Sequence, residues 1–380
     1  MTSLREPHWS GFITEFSNEQ CSEVQAESTR RSKPRFLLAR LAVGLVVLIC
    51  AEVFSGASLA MGLWHPWTLV VTYWLYFAHF FFFTTLAVRT GRTSLSSLYL
   101  WGVLFGLYES WITKVIWHGY SGDGKFVLGS IGPYGFSEIS MVFLFHPVMS
   151  FILPLSVACL LSPSLRRAFP DLAWLTSSGR WARFIRAYVI ISLAPVMAMN
   201  SGGPMNLILN VVVAIVCLLV LLRLARSAFE SPGGQHIVVF SRWGFAVLCL
   251  YLAVLYGVTY ILLRPEGLPS MPVQLFTFVF YALAIVGLWL GSESKPLAKT
   301  ADDVDKRGRQ VVIRDFAVLV AMAILLSMLA GSPVLYIPIM VNFVIWTPLG
   351  FLLTALAIRM SIRRSPPADD GHEPSMTQLA

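Results

Sequence analysis

The sequence predicts an all-α fold: a polytopic transmembrane helical bundle of about ten spans, with both termini cytoplasmic. Three observations predict it. Hydrophobic residues make up 56% of the 380 residues and charged ones 13%, against roughly a quarter charged in an ordinary globular protein. The apolar residues collect in long runs, and the mean hydropathy is +0.70. The basic residues alternate from loop to loop. These features exclude a soluble domain, a nucleic-acid binder and a disordered chain.

A membrane-spanning helix needs about 20 mostly apolar residues. Ten runs qualify, at 36–62, 66–88, 95–118, 139–161, 184–200, 204–223, 242–263, 272–291, 315–331 and 334–358. Backbone polar groups cannot face lipid unpaired, so each run is read as a helix. The runs lack alternation and are about twice the length of a barrel strand, which excludes a β-barrel. Residues 1–35 are polar, so no cleavable signal peptide is expected and the first span serves as the insertion signal.

The charges fix the expected orientation. With the N-terminus inside, all of the 28 Lys and Arg residues except Lys114, Lys125 and Arg264 fall in cytoplasmic segments or at their edges. That is the positive-inside pattern, and it explains the net charge of +8 without an acidic partner. Trp64, Trp67 and Trp117 fall at outer edges, and Trp174, Trp181, Trp243 and Trp289 at or near inner ones, as expected of an aromatic belt. The predicted location is the cell membrane.

Outside the spans, the tails 1–35 and 363–380 read as disordered. Loop 162–183 is basic and suits an interfacial segment, and loop 292–314 reads as a solvated linker. The glycine-rich outer loop 119–138 lacks a phosphate-loop pattern. The five cysteines, Cys21, Cys50, Cys159, Cys217 and Cys249, form no C-x-x-C pair, so neither a zinc site nor a disulfide framework is indicated.

An ionisable residue inside a span is costly and requires an explanation. Five qualify: Glu52, His79, Glu109, Lys114 and His146. Counting the helical rise from the outer ends places Glu52, Glu109 and His146 about 10–13 Å deep, with Lys114 above and His79 below. Asn200, Asn206, Asn210 and Asn342 join that half of the membrane. Pro147, Pro195 and Pro338 interrupt spans four, five and ten there, each freeing a carbonyl one turn earlier. Gly102-x-x-x-Gly106 suits close helix packing. Glu109 and Lys114 are five residues apart and would point to different sides of one helix.

This layer suggests a membrane-embedded enzyme acting on a lipid-linked or amphiphilic substrate in the outer leaflet. Glu109, His146 and Glu52 are the catalytic candidates, for general acid–base chemistry. Lys114, His79, Asn206, Asn210 and Asn342 are the substrate-binding candidates, Lys114 for an anionic head group. No cofactor is expected, because spaced ligand motifs are absent, although Glu52, Glu109, His79 and His146 have the chemistry to hold a metal. The expected partners are membrane lipid and a small-molecule or lipid-linked substrate. A transporter, proton-coupled or facilitative, is the alternative, since ten spans divide as five plus five. A non-catalytic component binding a partner protein or lipid is the third reading.

Overall fold

The computed structural model describes residues 36–59, 62–120, 125–291 and 303–363. Both tails expected to be disordered, save residue 363, lie outside the described residues. The described chain is helical: α1 Phe36–Val53 and α2 Thr68–Arg89, α3 Leu95–Thr113 and the one-turn α4 Val115–His118. A small antiparallel hairpin follows, β1 Ser130–Ile131 paired with β2 Tyr134–Gly135. Then come α5 Phe136–Leu161, α6 Pro163–Ala168, α7 Arg180–Asn200, α8 Pro204–Phe229, α9 Arg242–Leu262, α10 Met271–Leu290, α11 Asp303–Ser327 and α12 Tyr336–Arg363.

Ten of these helices are long, at the places the hydrophobic runs occupy. Nine are long and apolar enough to cross a membrane, and α3 is the tenth. Ser96, Ser97, Gly102, Gly106, Glu109 and Ser110 dilute the hydropathy of α3, and the bundle encloses most of its residues. Surrounded by other helices, α3 does not need a greasy exterior.

Several expectations need correction. The run 95–118 is not one helix. Lys114 adopts a left-handed conformation, φ 55°, and breaks it, so the angle between Glu109 and Lys114 on a continuous helix does not apply. Pro338 does not interrupt α12. It lies in the first turn, where the missing N–H costs nothing, and the proline inside α12 is Pro348. Residues 303–314 belong to α11, so part of the expected linker 292–314 continues a helix past the apolar run. Loop 162–183 is also partly ordered, as α6 and a 3-10 turn at Pro170–Thr176.

The core is aromatic. Phe80, Phe81, Phe83, Phe105 and Phe151 are all fully enclosed. Phe77–Phe81 and Phe80–Phe151 ring centroids lie 4.5 and 5.7 Å apart, within the range of favourable aromatic pairs. By contrast α8, α9 and α10 turn apolar side chains such as Leu219, Trp243 and Phe276 outward, as helices do when hydrocarbon is the solvent.

At the end of the bundle rich in arginine, the 231–241 connection is clamped under α1 and α2. Arg40 donates to the carbonyls of Ile237, His236 and Val239 and lies 3.9 Å over the Phe240 ring. Thr84 and Thr85 donate to Val238 O, and Arg89 donates to Phe240 O. The charges at this end tie the connections down, while the candidate site lies toward the other end.

Candidate functional site

The site is built where α1, α3 and α5 approach the end of the bundle that carries Gly119, Tyr120 and residues 125–138. Glycines on α3 allow the approach. A Cβ at Gly102 would lie 2.5 Å from Pro147 Cα, and one at Gly106 would lie 2.7 Å from Val142 O and 3.2 Å from His146 Cβ. Only glycine permits backbones this close. The consequence is local: α5 is drawn against α3 where His146 faces Glu109.

Wide helical turns shape the same region. Residues Ile49–Val53, which include Glu52, and Met141–Ile152, which include His146, are π-helical. Such turns are rare and concentrate at functional sites. Pro147 supplies a cause in α5, because it has no N–H to donate to the preceding turn. The Tyr99 hydroxyl on α3 donates to Phe143 O in the same stretch, a hydrogen bond from the neighbouring helix.

Glu109 Oε2 lies 3.0 Å from His146 Nε2, with the two side chains 16% and 5% exposed. His146 Nδ1 lies 2.9 Å from Ser150 Oγ, one turn further along α5. The result is a chain, Ser150–His146–Glu109. Its serine end is fully buried and its carboxylate end is the accessible one. That order is the reverse of a nucleophilic triad, in which the serine must reach substrate.

Glu52 joins from α1. Ser58 Oγ donates to its Oε2 at 2.6 Å, the Tyr76 hydroxyl meets the same carboxylate, and Glu52 is within electrostatic reach of Glu109 and His146. Tyr120, just beyond α4, is within reach of Glu109, Glu138 and Glu52. It is more than half exposed, and the surface it shares with the partly exposed Glu109 is the recess of the site. Among the described residues no three His, Cys, Asp or Glu side chains group closely enough to hold a metal ion.

The other expected residues lie elsewhere. His79 is fully buried, with Nδ1 2.8 Å from Leu75 O and Nε2 3.4 Å from the Tyr256 hydroxyl. The Phe105 ring packs on both imidazoles, 5.4 Å from His79 and 6.0 Å from His146. Asn200, Asn206 and Asn210 staple the turn after α1. Asn200 donates to Ser55 O, and Asn206 to Leu59 O and Ser201 O. Asn210 Oδ1 accepts from Leu63 N. Because that turn carries Ser58, these amides hold the partner of Glu52. Asn342 donates to Ser192 O, one turn before Pro195.

Lys114 turns away from the recess. Its Nζ donates to Thr259 O at 2.9 Å and to Leu263 O, at the C-terminus of α9. Arg264, also left-handed at φ 50°, donates to Thr113 O and Gly119 O at 3.3 and 2.9 Å, at the ends of α3 and α4. Each cation thus caps the other's helix, where the dipole is negative.

Sequence reasoning missed Ser58, Tyr76, Tyr120, Glu138 and Ser150. Ser150 carried a signal, four residues after His146 on one helical face. Glu138 fell one residue short of the expected span, and α5 begins at Phe136.

Fold and site together define a polytopic helical membrane protein with an acid–imidazole chain inside the bundle. Residues 41–364 match a family described as "Uncharacterized membrane protein family", and the chain belongs to that family. It is similar to an "Uncharacterized protein" of Archaeoglobus fulgidus, 28% identical over 272 residues, covering 70% of this chain and 82% of the relative. No solved structure matches it.

Proposed function

We propose that the protein is a membrane-embedded enzyme that acts on a lipid-linked or amphiphilic substrate in the outer leaflet, with Glu109 as general acid–base. The observation that carries the reading is the Ser150–His146–Glu109 chain, open at its carboxylate end. Glu109 takes a proton from a bound substrate and returns it. His146 holds the carboxylate in place and shares the proton across their contact. Ser150 fixes the imidazole ring. Glu52, held by Ser58, supplies a second carboxyl beside the first. The positive-inside pattern supports a cytoplasmic arginine-rich end and cytoplasmic termini, and with that orientation the recess opens outward at the cell membrane. Nucleophilic serine chemistry fits less well, because Ser150 is sealed. Transport fits less well too, since Phe80, Phe81, Phe83 and Phe151 fill the core toward the arginine-rich end.

The test uses the full-length protein in nanodiscs made from a total polar lipid extract, with mass spectrometry of the lipids before and after incubation. A species consumed by wild type and spared by Glu109→Gln supports the reading. Lipid profiles unchanged by the wild-type protein overturn it.

A further inference from the structure

We infer that the ligand of this recess carries a positively charged nitrogen, an ammonium group, and not a phosphate or other anion. The inference rests on the reading above, that the Glu109 recess is where substrate binds.

The charges around the recess are unbalanced. Glu52, Glu109 and Glu138 all reach Tyr120. Glu52 feels one cationic candidate, His146. Lys114 has Glu266 and Arg264 as its charged neighbours, and not the recess carboxylates. Lys114 and Arg264 both spend donors on helix-terminal carbonyls. An anionic head group would meet three carboxylates here.

Glu138 provides the independent observation. It is 1% exposed. Its Oε2 accepts from Ser137 Oγ at 2.7 Å, while Oε1 has no hydrogen-bond partner. A buried carboxylate oxygen without a donor is costly and calls for a reason. The chain also makes room for this carboxyl. A Cβ at Gly135 would lie 2.2 Å from Glu138 Oε2, although Gly135 has an ordinary backbone, φ −65°. The carboxyl and the Phe126 ring thus occupy the space that a side chain at position 135 would fill. An acceptor-rich recess short of donors is complementary to an ammonium, which has three donors and no acceptor. The exposed face of Tyr120 suits the same charge.

The experiment titrates the full-length protein in dodecyl maltoside with hexylammonium chloride, sodium hexyl phosphate and hexanol at matched ionic strength, reading intrinsic fluorescence and melting temperature. Saturable binding of hexylammonium alone is expected, weakened at least tenfold in Glu109→Gln and Glu138→Gln. The exposed substitution Tyr120→Lys keeps the test open if those variants fold poorly; it should abolish hexylammonium binding. Binding of hexyl phosphate in preference, no discrimination among the three probes, or unchanged binding in Glu138→Gln or Tyr120→Lys overturns the inference. Lipid turnover without hexylammonium binding sinks this inference alone. Hexylammonium binding without turnover supports it and sinks only the enzymatic reading.

Discussion

Glu109 and His146, 37 residues apart in sequence and on different helices, meet with Oε2 3.0 Å from Nε2 inside the helical bundle. The contact depends on the glycines that let α3 touch α5 and on the π-helical course of α5 around Pro147. It is a tertiary relationship, and the acid–base role proposed for Glu109 rests on it.

If Glu109 is the reacting group, Glu109→Gln keeps its shape and loses proton transfer. The expected loss in turnover of the lipid identified by mass spectrometry is about 10²–10⁴-fold. His146→Gln should lose a similar amount. Ser150→Ala touches neither the proton nor the substrate, so the expected loss is smaller, up to about 10²-fold through a misplaced ring, and Ser150→Thr should restore part of it. Equal losses in Ser150→Ala and Glu109→Gln would argue instead for a reacting serine.

Gly106→Leu should separate the pair without altering either member. A side chain there must displace Val142 O and His146 Cβ, an overpacking cost of about 1–3 kcal/mol. Activity should fall as far as in His146→Gln, while the protein still inserts and purifies. Cysteine pairs placed on α3 and α5 report the change, since their crosslinking should drop in the Gly106→Leu background. Full activity in Gly106→Leu would mean that the close approach does not position the site.

Lys114 and Arg264 should behave as one unit. Each caps the helix that precedes the other, and each sits in a left-handed conformation that costs roughly 1–2 kcal/mol for a residue with a Cβ. Lys114→Met and Arg264→Met should each lower the melting temperature, and the double variant should lose less than the two losses added together. Head-group selectivity should not respond to Lys114→Met, because the ammonium is directed to carbonyls and not to the recess. Strict additivity in the cycle would refute the interlock.

Much of the fold could be read before any coordinates, because hydrocarbon imposes a simple rule on length and apolarity. The ten runs correspond to ten long helices, and the run least like a membrane span, α3, is the one the bundle encloses. The site was legible only as a depth. Counting residues placed Glu52, Glu109 and His146 at one level, but depth says nothing about azimuth. The rotation of each helix about its axis is set by packing at Gly102, Gly106 and Pro147. Lys114 and the asparagines therefore looked like site residues while serving the backbone. Intramembrane carbonyls near prolines and helix ends need donors as urgently as a substrate would, and a polar residue can answer either demand.

Two interhelical hydrogen bonds to backbone carbonyls yield the last prediction. Tyr99 on α3 donates to Phe143 O in the π-helical stretch of α5, and Asn342 on α12 donates to Ser192 O on α7 at 2.9 Å. Such bonds in membranes are worth about 0.6 kcal/mol on average and at most about 1.7. Tyr99→Phe and Asn342→Leu should each destabilise the protein by that order, measured as a shift in denaturant midpoint in mixed micelles. The two bonds share no partner, so the double variant should lose the sum of the single losses to within about 0.5 kcal/mol. If Tyr99→Phe leaves the midpoint unchanged, the tyrosine does not hold α5 against α3, and the approach that presents His146 rests on the glycines alone.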